Sequence, residues 1–130
     1  MTVLPALTLF FGMDQSTRNL SSFSEVTAQE GIDVFLTKGS SESARIEADG
    51  ISVDMVLTDV SGGTLKIHLE GDNHRNVDVK VYVTFVDLSA LKASSAASIR
   101  VEGMVQAKGD FEISCSSAGD IKVAVKADQV

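Results

Sequence analysis

Internal self-similarity at a fixed spacing restricts a fold more tightly than composition does. Shifted by twenty-two residues, the stretch from Leu91 to Val125 matches itself. Leu91 falls on Ile113, Ala93 on Cys115, and Ser94-Ser95-Ala96 on Ser116-Ser117-Ala118. Ile99 falls on Ile121, Arg100 on Lys122 and Val101 on Val123. Apolar anchors and small corner residues recur together. A period near twenty residues is the mark of a solenoid, in which one coil covers the apolar face of the next. Leu88, Val105, Phe111 and Val125 extend the series of short strands, joined by Ser, Ala and Gly corners. Small side chains suit such corners because stacked backbones approach to about 4.8 Å.

Upstream the pattern changes to alternation. Leu20, Phe23 and Val26 lead into a turn at Gln29-Glu30-Gly31. Ile32, Val34 and Leu36 then alternate with Asp33, Phe35 and Thr37, the period of a half-buried strand. After Lys38-Gly39-Ser40-Ser41, Ala44, Ile46 and Ala48 alternate with Arg45 and Glu47. These two runs are expected to pair as a hairpin. Ile51 to Val60 fits helical and strand spacing equally, and is read as a short irregular or helical crossing. Ser61-Gly62-Gly63 is a turn, Leu65, Ile67 and Leu69 form a strand, and Gly71-Asp72-Asn73-His74 turns again. Val77, Val79, Val81 and Val83 make the cleanest strand; Asn76, Asp78, Lys80, Tyr82 and Thr84 line its water-tolerant face. The expected fold is all-β: N-terminal antiparallel strands and hairpins running into a parallel β-helix-like, solenoid C-terminal part.

At 130 residues the chain is one domain. Two segments are expected: an apolar stretch over 1–17, and a single β domain over 18–130. The first thirteen residues are too short to span a bilayer as a helix. They suit either a leader remnant or a first strand, with no basic residue ahead of them and no A-x-A site behind. The net charge of −7 disfavours nucleic acid, which needs basic patches, and disfavours electrostatic docking on anionic lipid. Cys115 is the only cysteine, so an internal disulfide is impossible. Its match to Ala93 predicts a small buried apolar side chain.

No set of residues forms a catalytic constellation. His68 and His74, with Asp72, lack a third ligand at metal spacing and read as solvated surface. Asp54, Asp59, Asp72 and Asp78 with Lys80 could suggest a polysaccharide-cleaving β-helix. Strand alternation, however, yields such pairs by default, and Tyr82 is the only tyrosine or tryptophan that could platform a sugar. Ser94, Ser95, Ser116 and Ser117 lack a base and read as corner residues completing backbone hydrogen bonds. Gly62-Gly63 and Gly71 lack the ending of a phosphate loop. No cofactor, metal or catalytic residue is expected.

The chain resembles the head GIN domain family, auto-transporter adhesins of bacterial cell envelopes that are abundant in Bacteroidetes. The matching stretches are Arg18-Asn19-Leu20 to Phe23 and Val26, Gly31-Ile32-Asp33-Val34 with Leu36, Gly63-Thr64-Leu65-Lys66-Ile67, and Val77 to Val83. Ser116-Ser117-Ala118-Gly119-Asp120-Ile121 is similar to the family's repeated Ser-Gly-Ser-Gly-Asp-Ile corner. The resemblance implies an all-β fold with a β-helical C-terminal part and export across the inner membrane. It implies a non-enzymatic role as an adhesin or structural envelope module with an unknown surface ligand: glycan, lipid or protein. No residue roles come with it. Family members are longer, so further coils are expected beyond Val130; failing those, a second copy covers the open C-terminal end as a homo-oligomer. The alternatives are a carbohydrate-active β-helix using Asp78 and Lys80, and a small-lipid carrier whose cavity is lined by the apolar N-terminal segment.

Overall fold

A computed structural model of the chain describes residues 13–71, 76–107 and 109–127. Eleven strands appear among them: β1 (Met13–Asn19), β2 (Glu25–Ala28), β3 (Asp33–Lys38), β4 (Ser43–Asp49), β5 (Val56–Ser61) and β6 (Thr64–Leu69), then β7 (Asp78–Phe85), β8 (Ala90–Ala93), β9 (Ser98–Ala107), β10 (Glu112–Cys115) and β11 (Asp120–Ala127). The fold is all-β in two mixed sheets. Sheet A runs β1-β4-β7-β3-β9-β11, and sheet B runs β10-β8-β2-β6-β5. A single 3₁₀ turn, Val53–Met55, precedes β5. The expected irregular crossing is therefore only its first part; Val56–Ser61 is a regular strand.

Alternation decides which face of each strand is buried. Val34 and Leu36 of β3, Ala44, Ile46 and Ala48 of β4, and Val79, Val81, Val83 and Phe85 of β7 all point to the core. Val26 and Ala28 of β2, Leu65, Ile67 and Leu69 of β6, and Leu91 and Ala93 of β8 join them in one cluster. No polar or charged side chain is buried among the described residues. The core is thus held by apolar burial, worth roughly 25 cal/mol per Å² of apolar surface removed from water.

The pairing differs from the expected hairpin. β3 and β4 are not neighbours, because β7 lies between them, antiparallel to β4 and parallel to β3. Alternation specifies the buried face but is silent on which strand lies beside which. The valine strand, apolar along its whole inner face, takes the place between them. The segment joining β3 to β4 instead crosses the end of β7: the Gly39 amide donates to the Phe85 carbonyl at 2.8 Å, and Lys38 Nζ donates to the Val86 carbonyl at 2.8 Å. The true two-residue hairpin joins β5 to β6, where Ser61 faces Thr64 across Gly62 and Gly63. Both glycines have positive φ, 60° and 81°, as a type I′ turn demands.

The twenty-two-residue match appears as strand register. Ile113 lies beside Leu91 and Cys115 beside Ala93 in the parallel pair β10–β8. Ile121 lies beside Ile99 and Lys122 beside Arg100 in β11–β9, with a bulge before Ala124. A second relation, sixty-five residues apart, sets Val26 beside Leu91 and Val34 beside Ile99. The strand pairs β6/β7, β2/β3, β8/β9 and β10/β11 stand in the same order in both sheets.

The corners between sheet B and sheet A repeat their backbone. Glu30 and Gly31 (φ 65° and 71°), Ser95 and Ala96 (53° and 65°), and Ser117 and Ala118 (48° and 68°) are all left-handed. They stack through hydrogen bonds, Gly31 N–H to the Ser95 carbonyl at 2.9 Å and Ala96 N–H to the Ser117 carbonyl at 3.0 Å. The approach is close: a Cβ on Gly119 would lie 2.2 Å from the Ala93 carbonyl oxygen. A left-handed alanine costs roughly 1–2 kcal/mol, which glycine avoids at some expense in unfolded-state entropy. Ala96→Gly is therefore expected to stabilise the fold by about 1 kcal/mol, raising the thermal midpoint by about 4 °C in a circular-dichroism melt.

Two expectations fail at the outer layer. Cys115 is exposed, not buried, and Ile113 is 51% exposed. Both sit on β10, the edge strand of sheet B, where one side of the strand has no described neighbour. Ala93, the matching residue one layer inward, is 1% exposed. At the other end, β1 pairs with β4 from Met13↔Asp49 to Asn19↔Ser43, so Arg18 lies inside the first strand. The remainder of the apolar N-terminal stretch, 1–12, lies outside the described residues, as does the cavity-lining role considered for it.

Candidate functional site

The outward face of sheet A carries the molecule's most distinctive group of side chains. Parallel pairing of β3 with β7 sets Phe35 beside Tyr82, and antiparallel pairing of β7 with β4 sets Tyr82 beside Arg45. On the other side Phe35 neighbours Arg100 of β9, which neighbours Lys122 of β11. The result is one row across five adjacent strands: Arg45, Tyr82, Phe35, Arg100, Lys122. Each occupies the position opposite the buried set of its strand.

Contacts within the row are specific. The rings of Phe35 and Tyr82 stack at 5.1 Å between centroids, with 17° between planes. The Arg45 guanidinium carbon lies 4.3 Å from the Tyr82 ring centre, a cation–π arrangement. Arg45 Nη1 also donates to Glu47 Oε2 at 2.5 Å. Among the described residues Arg100 and Lys122 are in no ion pair. Both aromatic residues are half-buried, and Tyr82 lies between Phe35 and Arg45 with its ring stacked against each. One flanking row is charged, with Glu47, Lys80 and Asp33 in register. The other is hydroxylic, with Ser43, Thr84 and Thr37 in register.

The stacked aromatic pair stands between cationic groups, Arg45 on one side and Arg100 and Lys122 on the other. Two open clefts lie elsewhere, at the end where sheet A strands lead into sheet B. One, of about 380 Å³, is lined by Ser24, Asp87, Gln106 and Asp110 among others. The second, of about 490 Å³, shares Ser24 and Asp87 with it.

Residues 22–130 match the family described as "Putative auto-transporter adhesin, head GIN domain". The chain belongs to the head GIN domain family. No curated protein matches it in sequence. Among solved structures, this head GIN domain is similar to a putative adhesin from Bacteroides fragilis, with TM-score 0.75 at 12% identity, covering 88% of this chain and 55% of that one. It is similar to a putative adhesin from Parabacteroides merdae, with TM-score 0.72 at 16% identity, covering 79% of this chain and 43% of that one. A putative lipid binding protein from Parabacteroides distasonis gives TM-score 0.71 at 17% identity, covering 89% of this chain and 51% of that one. At such identities the likeness concerns the fold alone. The chain spans about half the length of these three proteins.

Within the head GIN domain the residues weighed from sequence do not converge. Asp59 is on β5 in sheet B, Asp78 on β7 in sheet A, and Asp54 in the 3₁₀ turn between β4 and β5. Asp78 and Lys80 share the outer face of β7, as alternation implies, with 3.5 Å between Oδ2 and Nζ. His68 contacts Asp59 at 3.1 Å, diagonally across the β5–β6 hairpin. His74 and Asp72 lie outside the described residues, among which no three His, Cys, Asp or Glu side chains gather as a metal site. Ser95 and Ser117 serve the corners through their backbone carbonyls. No helix among the described residues is long and apolar enough to cross a membrane.

Sequence reasoning missed Phe35 and Arg45 as members of a site with Tyr82. Each was legible as an outward residue. Their meeting depends on β7 lying between β3 and β4, which the expected hairpin excluded.

Proposed function

We propose that this head GIN domain is a non-enzymatic, extracytoplasmic binding module that attaches to a surface ligand through the outer face of sheet A. In this reading the four matched strand pairs are the opening coils of a β-solenoid, which serves as a rigid support. The observation that carries it is the row Arg45–Tyr82–Phe35–Arg100–Lys122, an aromatic and cationic strip with no reacting group. Family membership and the adhesin-like neighbours support a surface role. Ladder pairing across five strands, antiparallel between β4 and β7 and parallel from β7 to β11, holds the strip in fixed register, so little ordering entropy is lost when a ligand settles on it.

Binding of the fluorescently labelled chain to intact bacterial cells and to isolated envelope fractions tests the proposal. Saturable retention is expected, displaced by an excess of unlabelled chain. Retention that rises linearly without saturation, or none at all, contradicts it.

A further inference from the structure

We infer that the chain pairs with a second copy of itself at the end formed by β10 and β11, as a two-fold symmetric dimer. This dimer goes beyond the binding role proposed above and does not depend on it. The two ends of the sheets are built differently. At one, Arg18 of β1 reaches across to the Val53 and Val56 carbonyls and to Thr58, and Val56 on the edge strand β5 is fully buried. At the other, β10 and β11 are the outermost strands, with no described neighbour beyond them. Ile113 of β10 is exposed there, and Phe111, Ile121 and Val123 are only partly buried against the core. Met104, the other exposed large hydrophobic among the described residues, lies beside Ala124 of β11. An edge strand offers a row of free N–H and C=O groups, which a bulge commonly blocks. Here the bulge is on the inner strand: Arg100 and Met104 of β9 are four residues apart where their partners Lys122 and Ala124 are two apart, so the outer edge of β11 is unbroken.

A two-fold axis normal to the sheets lets both edges pair at once, β11 antiparallel to its copy in sheet A and β10 to its copy in sheet B. Ile113 and Val123 stand five residues on either side of Ala118 in the corner, near the middle of their strands, so one axis passes both. Ile113 then lies opposite the partner's Ile113, Val123 opposite the partner's Val123, and Phe111 opposite the partner's Cys115. Charge permits this register and excludes its neighbours. Glu112 meets the partner's Ser114, and Lys122 meets the partner's Ala124. Moving the axis one residue away from the corner sets Glu112 against the partner's Glu112; moving it one residue toward the corner sets Lys122 against the partner's Lys122. Like charges directly opposed destabilise a ladder. Stacking head to tail would instead set this end against the edge that Arg18 already closes. β11 has eight residues, so it is about 26 Å long. With two sheets about 10 Å apart and their outer side chains, the end face is roughly 500 Å². Two such faces hide about 1,000 Å², the lower bound of a specific interface, which sets a dissociation constant on the order of 10–100 μM. Denaturation at lower concentration reads the monomer. Both A sheets face the same way in the dimer, so it presents two strips to one surface.

Sedimentation equilibrium of the full chain tests this, with reductant present to keep Cys115 a thiol. Between about 1 μM and about 500 μM the mass is expected to rise from 13.7 kDa to twice that value and to stop there. Ile113→Lys sets like charges opposite each other and is expected to raise the dissociation constant about a hundredfold. Ile113 is exposed in the monomer, so the fold is retained, which circular dichroism verifies. Cross-linking by diamide, an oxidant of thiols, reads the register. Ile113→Cys combined with Cys115→Ser is expected to give disulfide-linked dimer at least about ten times faster than the unaltered chain, whose two Cys115 side chains stand four residues out of step in this register. A mass that stays at 13.7 kDa overturns the dimer. So does a mass that climbs past two copies, or a dimer that Ile113→Lys leaves intact. Faster cross-linking through Cys115 than through Ile113→Cys overturns the register and the two-fold pairing built on it.

Discussion

Leu91→Ala lowers the unfolding free energy by about 3 kcal/mol, read from urea denaturation followed by circular dichroism. Leu91 is fully buried. It stands in β8 with Val26 on one side and Ile113 on the other. Neighbours fixed in a parallel ladder relax little, so the lost methyl groups leave a cavity, and buried Leu→Ala changes cost about 2–5 kcal/mol. Its sequence counterpart behaves differently. Ile113 is 51% exposed, and Ile113→Ala costs under about 1 kcal/mol. Equal losses at the two positions would mean that β10 is covered as β8 is, contrary to the burial found here.

Arg18→Ala is expected to cost about 3 kcal/mol by the same assay. Arg18 belongs to β1 at the edge of sheet A, but its side chain reaches the edge of sheet B. Nη1 donates to the Val56 carbonyl at 2.6 Å and to Thr58 Oγ1 at 3.1 Å, and Nη2 donates to the Val53 carbonyl at 2.8 Å. Hydrogen bonds from charged donors contribute about 1.5–3 kcal/mol, and truncation leaves partly buried carbonyls without this donor. Arg18→Lys restores little, because an ammonium cannot reproduce the fork that spans the 3₁₀ turn and β5. A full rescue by lysine would show that charge alone holds the two sheet edges together.

The sequence carries some levels of this structure plainly and hides others. Periodicity reports facing, so Val34, Leu36, Ile46, Val81 and Leu65 were legible as core before any pairing was known. The twenty-two-residue shift reports lateral contact, because in a parallel ladder equal positions become neighbours; Leu91 with Ile113 and Ile99 with Ile121 follow from it. Two things were out of reach. Chain order does not give spatial order: β2/β3 sits between β6/β7 and β8/β9, so the layer nearest the repeat comes from sixty-five residues upstream. That relation was faintly present in Val26, Ala28, Val34 and Leu36 against Leu91, Ala93, Ile99 and Val101. With the β3–β4 hairpin assumed instead, Phe35 had no reason to meet Tyr82. Burial at an edge was equally hidden, since Cys115 reads like Ala93 until β10 proves to have a neighbour on one side only among the described residues.

Lateral register brings together both the core layers and the strip on sheet A. Nuclear Overhauser contacts in the isotope-labelled chain measure it most directly. Cross-peaks are predicted between the methyl groups of Ile99 and Ile121, and between the rings of Phe35 and Tyr82. Cross-peaks that place Phe35 beside a residue of β4, with none to Tyr82, would contradict the sheet order and dissolve the strip with it.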